Sequence, residues 1–357
     1  VETKKYEYID SLRGIAVLMV LMVHVGNFFK LPTTEYFSHL LFEMVYSGRM
    51  GVQLFFILSS FTLMFSFDRR IGEKNGTSNF YIRRFFRIAP MYYLAIVAIT
   101  AYFIRLDVRN WDILTTPWYL SNYFFLNTLN PAWIKTIVPG GWSISVEFLF
   151  YMIFPFIASR IKSINTAAIA LCISLIVATI FIYVTRGQFF FFQFDFNQIN
   201  FVNQLPVFFI GIFTYWLTKE SYTQIKNKTW ALFIIVMLLF THMVVPYYLF
   251  YCIIYCILIL ILSKKPYKFL SNKWLSKVGR VSFSMYIVHF FLIIMMNNLG
   301  IGHLIPVTNL FTSIVNFVLL YTLVFTLTYT ISYFSYKFIE FPGQNLGKKL
   351  IKIRSTK

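Results

Sequence analysis

Charge is scarce in this sequence, and acid is scarcer still. Only 13% of its 357 residues are Asp, Glu, Lys or Arg, about half the share of an ordinary soluble domain. Thirteen acids face 32 bases, for a formal net charge of +19. There are only three cysteines, and Cys172, Cys252 and Cys256 all fall inside apolar stretches. That placement excludes a disulfide-stapled secreted scaffold and supplies no metal site. Short alternating segments are missing too, which argues against a transmembrane β-barrel. The opening VETKKYEYIDSLRG carries acids, and no A-x-A site follows the first apolar run, so that run is expected to stay as a span. What the chain does have is 58% hydrophobic residues, with 43 Phe, 24 Tyr and 7 Trp. One soluble core of this size cannot bury so much apolar surface. The expected fold class is therefore all-α, a polytopic bundle whose first partner is the lipid bilayer. The bases lie between apolar runs rather than in one cluster, so nucleic acid is not an expected partner.

A span needs about 20 mostly apolar residues, and about ten candidates can be marked. They run roughly over 11–29, 50–67, 87–105, 140–158, 164–184, 201–218, 229–245, 247–263, 280–298 and 308–336. Only Pro246 separates the seventh from the eighth, which predicts a tight hairpin or a kinked pair. The last candidate is longer than a crossing requires, so its end is expected to tilt or to project into water. An even number of spans puts both termini on one side. With that side cytoplasmic, every Lys and Arg except Lys30, Arg49, Arg105, Arg109, Lys135 and Arg186 falls inside. The longest outer segment, 106–139, is rich in Trp and Pro and suits the membrane interface. No linker leads to a second soluble domain, so residues 1–357 are expected to form one transmembrane domain.

Ionisable residues within spans are costly and are functional candidates by default. His24 follows Arg13 in SLRGIAVLMVLMVHVGNFF. A helix places the two on one face about 16 Å apart along the axis. Asp10 lies one turn before Arg13 and can hold its guanidinium. A basic inner end with a proton-handling group deeper on the same face resembles a channel from the cytoplasm. The plain alternative is Arg13 snorkelling to lipid phosphates, with His24 bonded to a neighbouring helix. Glu147, in GGWSISVEFLFYMIFP, enters its span from the outer side at a depth of about 10 Å, matching His24. A carboxylate and an imidazole at one depth are expected to be partners, the arrangement a general base needs. The alternative is a protonated Glu147 bonded to backbone.

The inner sequence NFYIRRFFRIAPMYYL places Arg83, Arg84 and Arg87 at a span entrance, with Pro90 in its first turns. Arg84 and Arg87, three residues apart, can grip one anionic group together, because guanidinium matches phosphate oxygens at two points. Simple anchoring by positive charge explains such arginines equally well. In VSFSMYIVHFFLI, Ser282, Tyr286 and His289 share one face, with His289 near mid-bilayer. His289 either lines the same cavity as His24 or is a hydrogen-bonded structural residue.

Taken together, Asp10-x-x-Arg13-Gly14 leading to His24, then FFILSSF, RRFFRIAPMYY, WSISVEFLFY, SFSMYIVHFF and FIEFP resemble the acyltransferase 3 family. The resemblance spans nearly the whole chain, with the motifs in order. It implies a multi-pass protein of the bacterial inner membrane, with ten core spans. It further implies transfer of an acyl group, commonly acetyl from cytoplasmic acetyl-CoA, to a sugar hydroxyl of a surface polysaccharide or its lipid-linked precursor. Carried over by position, the essential Arg-x10-His pair is Arg13 and His24. The R-x-x-R element for the donor is Arg84 and Arg87, beside Arg83. The W-S-x-x-x-E element is Trp142, Ser143 and Glu147. Trp118, Trp142, Ser143, Tyr286 and His289 are then candidate acceptor contacts, and the aromatic 106–139 segment can stack a sugar. No metal is implied, and a homo-oligomer is compatible with the pattern. One departure is Leu58-Ser59-Ser60-Phe61, where the family writes L-S-G-F; Ser60 adds bulk where backbones approach closely. The attached hydrolase-like outer domain of some members is absent from these residues, which makes single-protein transfer the simpler expectation. The rival readings are a transporter or flippase of a lipid-linked sugar, and a sensor or assembly partner without chemistry.

Overall fold

The computed structural model describes residues 7–28, 39–105, 116–134, 136–185, 196, 199–220, 222–242 and 248–355. Among them there is helix and turn but no strand. The helices are α1 (Glu7–Phe28), α2 (His39–Tyr46), α3 (Gly51–Asp68), α4 (Gly76–Arg105), α5 (Pro117–Tyr123), α6 (Gly141–Arg160) and α7 (Ile164–Thr185). They continue as α8 (Phe201–Lys219), α9 (Asn227–His242), α10 (Tyr248–Lys264), α11 (Lys273–Arg280), α12 (Ser282–Asn298), α13 (Leu310–Ser335) and α14 (Phe341–Ser355).

A helix lies on each of the ten expected segments. Among the described residues, seven helical stretches are long and apolar enough to cross a membrane, or eight if α11 and α12, bent by 69°, count as one span. With that pair counted, the shortfall against ten lies in α9 and α10, at 16 and 17 residues; the Pro246 break expected between them lies outside the described residues. The third span is expected from 87, but its helix starts at Gly76, so Pro90 sits inside the helix rather than in its first turns. Arg83, Arg84 and Arg87 lower the local hydropathy and hid those opening turns. The last helix leaves α13 through a π-helical turn, Tyr336–Glu340, and continues to Ser355.

The chain divides into two compact units. Unit 1 comprises Val1–Phe55, Ala89–Ile99 and Pro266–Asn345. Within it α1 packs on α11, α12 and α13. The α1–α11 crossing is backbone on backbone: a Cβ on Gly14 would meet the Leu275 carbonyl, and one on Gly279 would meet the Asp10 carbonyl. Small residues permit such approach where lipid supplies no hydrophobic drive between helices. Ser11 and Asn272 bond there, Oγ donating to the Asn272 carbonyl at 3.2 Å, and the Asn272 side chain caps α11 by accepting from Leu275 N at 2.9 Å. Above this crossing Val17, Leu21, Val278, Val281 and Met285 form one packed cluster. Val25, Ile293, Met296, Leu320 and Val324 form a second around His24's end of α1.

Unit 2 comprises Phe56–Ile88, Thr100–Lys265 and Leu346–Lys357. Here α8 packs on α6, α7 and α10. A column of rings runs through it: Phe208 stacks on Phe56 at 4.6 Å and on Phe150 at 4.1 Å, and Phe154 stacks on Phe80 at 5.4 Å. The unusual Ser60 is fully buried and returns its hydroxyl to the Phe56 and Ile57 carbonyls. It fits because Gly211 of α8 faces it; a Cβ on Gly211 would overlap Ser60 Oγ. The glycine that the family pattern puts on α3 is thus replaced by one on the facing helix. Of the aromatic outer segment, residues 106–115 and 135 lie outside the described residues. Its remainder forms α5 and two short 3₁₀ turns, tied to α6 by a Ser145–Asn127 hydrogen bond and by the Phe125–Phe148 stack at 4.1 Å.

Candidate active site

The expected residues fall into two clusters, one in each unit. In unit 1, Asp10 holds Arg13 as the i,i+3 spacing predicts, with Arg13 Nη1 3.3 Å from Asp10 Oδ1. Arg280 reaches the other oxygen of Asp10 at 4.0 Å. Nothing local to Asp10 points to Arg280, because the Gly14–Gly279 contact that brings α11 against α1 links residues far apart in the chain.

His24 lies deeper on α1 and is partly exposed. Its ring centroid is 4.3 Å from that of Phe290 and 5.3 Å from that of His289. His289 is fully buried. Its Nδ1 lies 3.0 Å from the Met285 carbonyl oxygen. The Tyr286 ring is 5.8 Å from His289, and Phe55 stands edge-on to Tyr286 at 6.2 Å. His24, Tyr286 and His289 therefore form one aromatic and imidazole cluster, although helical phase alone related only the last two.

In unit 2, Glu147 Oε1 accepts hydrogen bonds from Ser59 Oγ and Tyr151 OH, each at 2.5 Å. Two hydroxyl donors on one carboxyl oxygen make that oxygen an acceptor to both. The bonds go to side chains, not to backbone as the alternative reading had it. Tyr151 was readable as the i+4 neighbour of Glu147. Ser59 was hidden on another helix, although it stands within the Leu-Ser-Ser-Phe element. The Arg84 guanidinium lies 5.6 Å from the Tyr151 ring and 5.5 Å from the Phe80 ring, within cation–π range. Arg87 is half-buried one turn further along α4. The sequence pairs Glu147 with His24; the two belong to different units, and the contacts described for each lie within its own.

Arg83 is engaged elsewhere. Its Nη1 and Nη2 donate to the two oxygens of Glu73 at 2.9 and 3.0 Å, in the two-point geometry that suits guanidinium and carboxylate. These hydrogen bonds, ahead of all other causes, hold the Glu73 carboxyl below its ordinary value. Glu73 and Arg83 line a pocket of about 630 Å³ together with Arg70, Lys162, Lys219 and Asp68. Asp68 accepts from Lys219 and from Tyr215 OH, so much of the positive lining is neutralised within the pocket. Of the candidate acceptor contacts, Trp142 is half-buried and edge-on to Phe56 at 6.2 Å. Ser143 is buried and returns its hydroxyl to the Gly140 carbonyl at 2.9 Å, at the glycine whose φ of 75° opens α6. Trp118 contributes its carbonyl to Ser121 and Asn122.

A family model described as an acyltransferase domain matches residues 6–337. The chain belongs to the acyltransferase 3 family. Curated relatives include a peptidoglycan O-acetyltransferase of Listeria monocytogenes, 28% identical over 41% of this chain and 23% of that protein. A putative peptidoglycan O-acetyltransferase of Bacillus subtilis is 26% identical over 43% of this chain and 24% of its own length. A putative O-acetyltransferase of Staphylococcus aureus is 24% identical over 99% of this chain and 60% of the relative. The chain thus spans about a quarter of the first two relatives and three fifths of the third. No solved structure matches it. Arg13 and His24, which the sequence sets eleven residues apart, lie on a single helix, α1.

Proposed function

We propose that the protein is an O-acetyltransferase of the bacterial inner membrane, moving acetyl from cytoplasmic acetyl-CoA to a hydroxyl of a cell-surface polysaccharide or its lipid-linked precursor. The observation that carries this reading is the family match over residues 6–337, which contains both clusters. The names of the relatives support acetyl as the group and a cell-surface glycan as the acceptor class. O-antigen and exopolysaccharide are the acceptors this reading puts first, with peptidoglycan added by the relatives' names.

In the proposed mechanism Arg84 and Arg87 bind the donor's phosphates, with Arg13 contributing charge, and Arg83 holds the entrance loop through Glu73. His24 accepts the proton of the sugar hydroxyl as its oxygen attacks the thioester carbonyl. The carbon–sulfur bond breaks, the thiolate leaves, and the imidazolium returns a proton to it. A route through acetyl-His24 balances equally well. Glu147, fixed by Ser59 and Tyr151, is the second catalytic group. Trp118, Trp142 and Tyr286 offer aromatic faces to a sugar. With purified protein in liposomes, labelled acetyl-CoA should pass its label to polysaccharide from cells lacking the protein. A flippase would move the lipid-linked sugar and leave it unlabelled, which would overturn this reading.

A further inference from the structure

We infer that His289 positions His24: its Nε2 accepts a hydrogen bond from one nitrogen of the His24 imidazole, which leaves the lone pair of the other nitrogen for the acceptor hydroxyl. This rests on the reading of His24 as the base. The Met285 carbonyl oxygen has lone pairs and no hydrogen, so the His289 nitrogen 3.0 Å away, Nδ1, carries the proton and donates it. A neutral imidazole has one N–H, so Nε2 holds a lone pair and can only accept. That atom is buried and has no hydrogen-bond partner. A buried acceptor without a donor bears the full cost of its desolvation.

The rings around His289 narrow the choice of donor. Phe290, at 4.1 Å, has none. Tyr286, at 5.8 Å, is on the same helix three residues earlier, and Tyr286 and Phe290 themselves meet edge to face. His24, at 5.3 Å, comes from α1. At that separation a nitrogen of one imidazole reaches hydrogen-bond distance of the other when the two point at each other, and the partly exposed His24 ring has more room to turn than the buried His289 ring. The Met285 carbonyl thereby sets the tautomer of His289, and His289 sets that of His24. During transfer the hydroxyl proton goes to the outward nitrogen of His24. The second N–H stays on His24, hydrogen-bonded to His289 Nε2, and stabilises the imidazolium until the thiolate takes a proton.

The test uses full-length protein with ¹⁵N-labelled histidine in liposomes, and it needs no acceptor. Wild type should show His289 protonated at Nδ1 and bare at Nε2, with a single His24 tautomer; in His289→Leu the His24 signal should change to a tautomer mixture. A protonated Nε2, or a His24 signal unmoved by His289→Leu, overturns the inference. So does a shift of the His289 signal in Tyr286→Phe of the size expected for loss of its donor. Turnover of acetyl-CoA with polysaccharide from cells lacking the protein adds the kinetic side. His289→Leu should lower kcat by about 100-fold with KM for acetyl-CoA unchanged, whereas His289→Gln, whose side-chain oxygen can accept, should recover most of it. Equal losses in Leu and Gln, or none in Leu, count against it. Absence of transfer by the wild type fails the acyltransfer reading instead, and the spectra decide the histidine pair independently.

Discussion

At the scale of single residues, the chemistry gathers on side chains whose types are rare in this sequence. Five histidines and 13 acids serve the whole chain, and two of those histidines meet in one cluster while one of the acids holds two hydroxyls. His24 and Glu147 were legible because an ionisable group inside an apolar run is costly and so stands out. Their neighbours were less legible. Ser59 reaches Glu147, and Arg280 reaches Asp10, from other helices; His289 stood out as an imidazole in an apolar run, but nothing in local composition reports that its helix brings it to His24. Removing the Ser59 hydroxyl should take one donor from Glu147 and destabilise the protein by about 1 kcal/mol, the usual net contribution of an intramolecular hydrogen bond. Thermal unfolding of Ser59→Ala in detergent checks this. Glu147→Gln should cut transfer of label from acetyl-CoA to polysaccharide by about 100-fold at near-normal thermal stability, and undiminished transfer would remove the carboxylate from the proposed chemistry.

At the scale of elements, glycine placement decides which helices can meet. Gly14 and Gly279 bring α1 and α11 into backbone contact, and the same contact places Arg280 beside Asp10. Gly279→Leu must push the helices apart, at a cost of about 1–3 kcal/mol or more for overpacking. The variant should insert into membranes yet unfold at lower temperature, and Gly302→Leu, whose Cβ would meet nothing within 4 Å, serves as its control. Ser60 and Gly211 show the same logic from the other side: the bulk added on α3 is met by the absence of a side chain on α8. The helical segments themselves were readable from hydropathy, because a helix lies on each of the ten marked runs among the described residues. The start of α4 was not, since three arginines within its opening turns look like loop until Glu73 and the rings of Phe80 and Tyr151 are seen to accommodate two of them.

At the scale of the whole molecule, the sequence conveys a multi-pass helical protein from its composition and a family from its ordered motifs. From the Lys and Arg asymmetry we propose that both termini are cytoplasmic. Acid should weaken the protein through the loop before α4. Arg83 lowers the Glu73 carboxyl below its ordinary value of 4.5, so the ionised pair adds stability that is complete above that value and is lost as pH falls through the lower, folded one. Unfolding followed against pH in wild type and Glu73→Gln should show the acid limb shrink in the variant. His24 is the centre of the proposed chemistry, and its most direct test is the acetyl content, by mass spectrometry, of surface polysaccharide from cells carrying no protein, the wild type, or His24→Ala at equal membrane levels. Acetyl groups should appear with the wild type and be absent, or reduced by about 100- to 10,000-fold, with His24→Ala; acetylation at the wild-type level by that variant would contradict it.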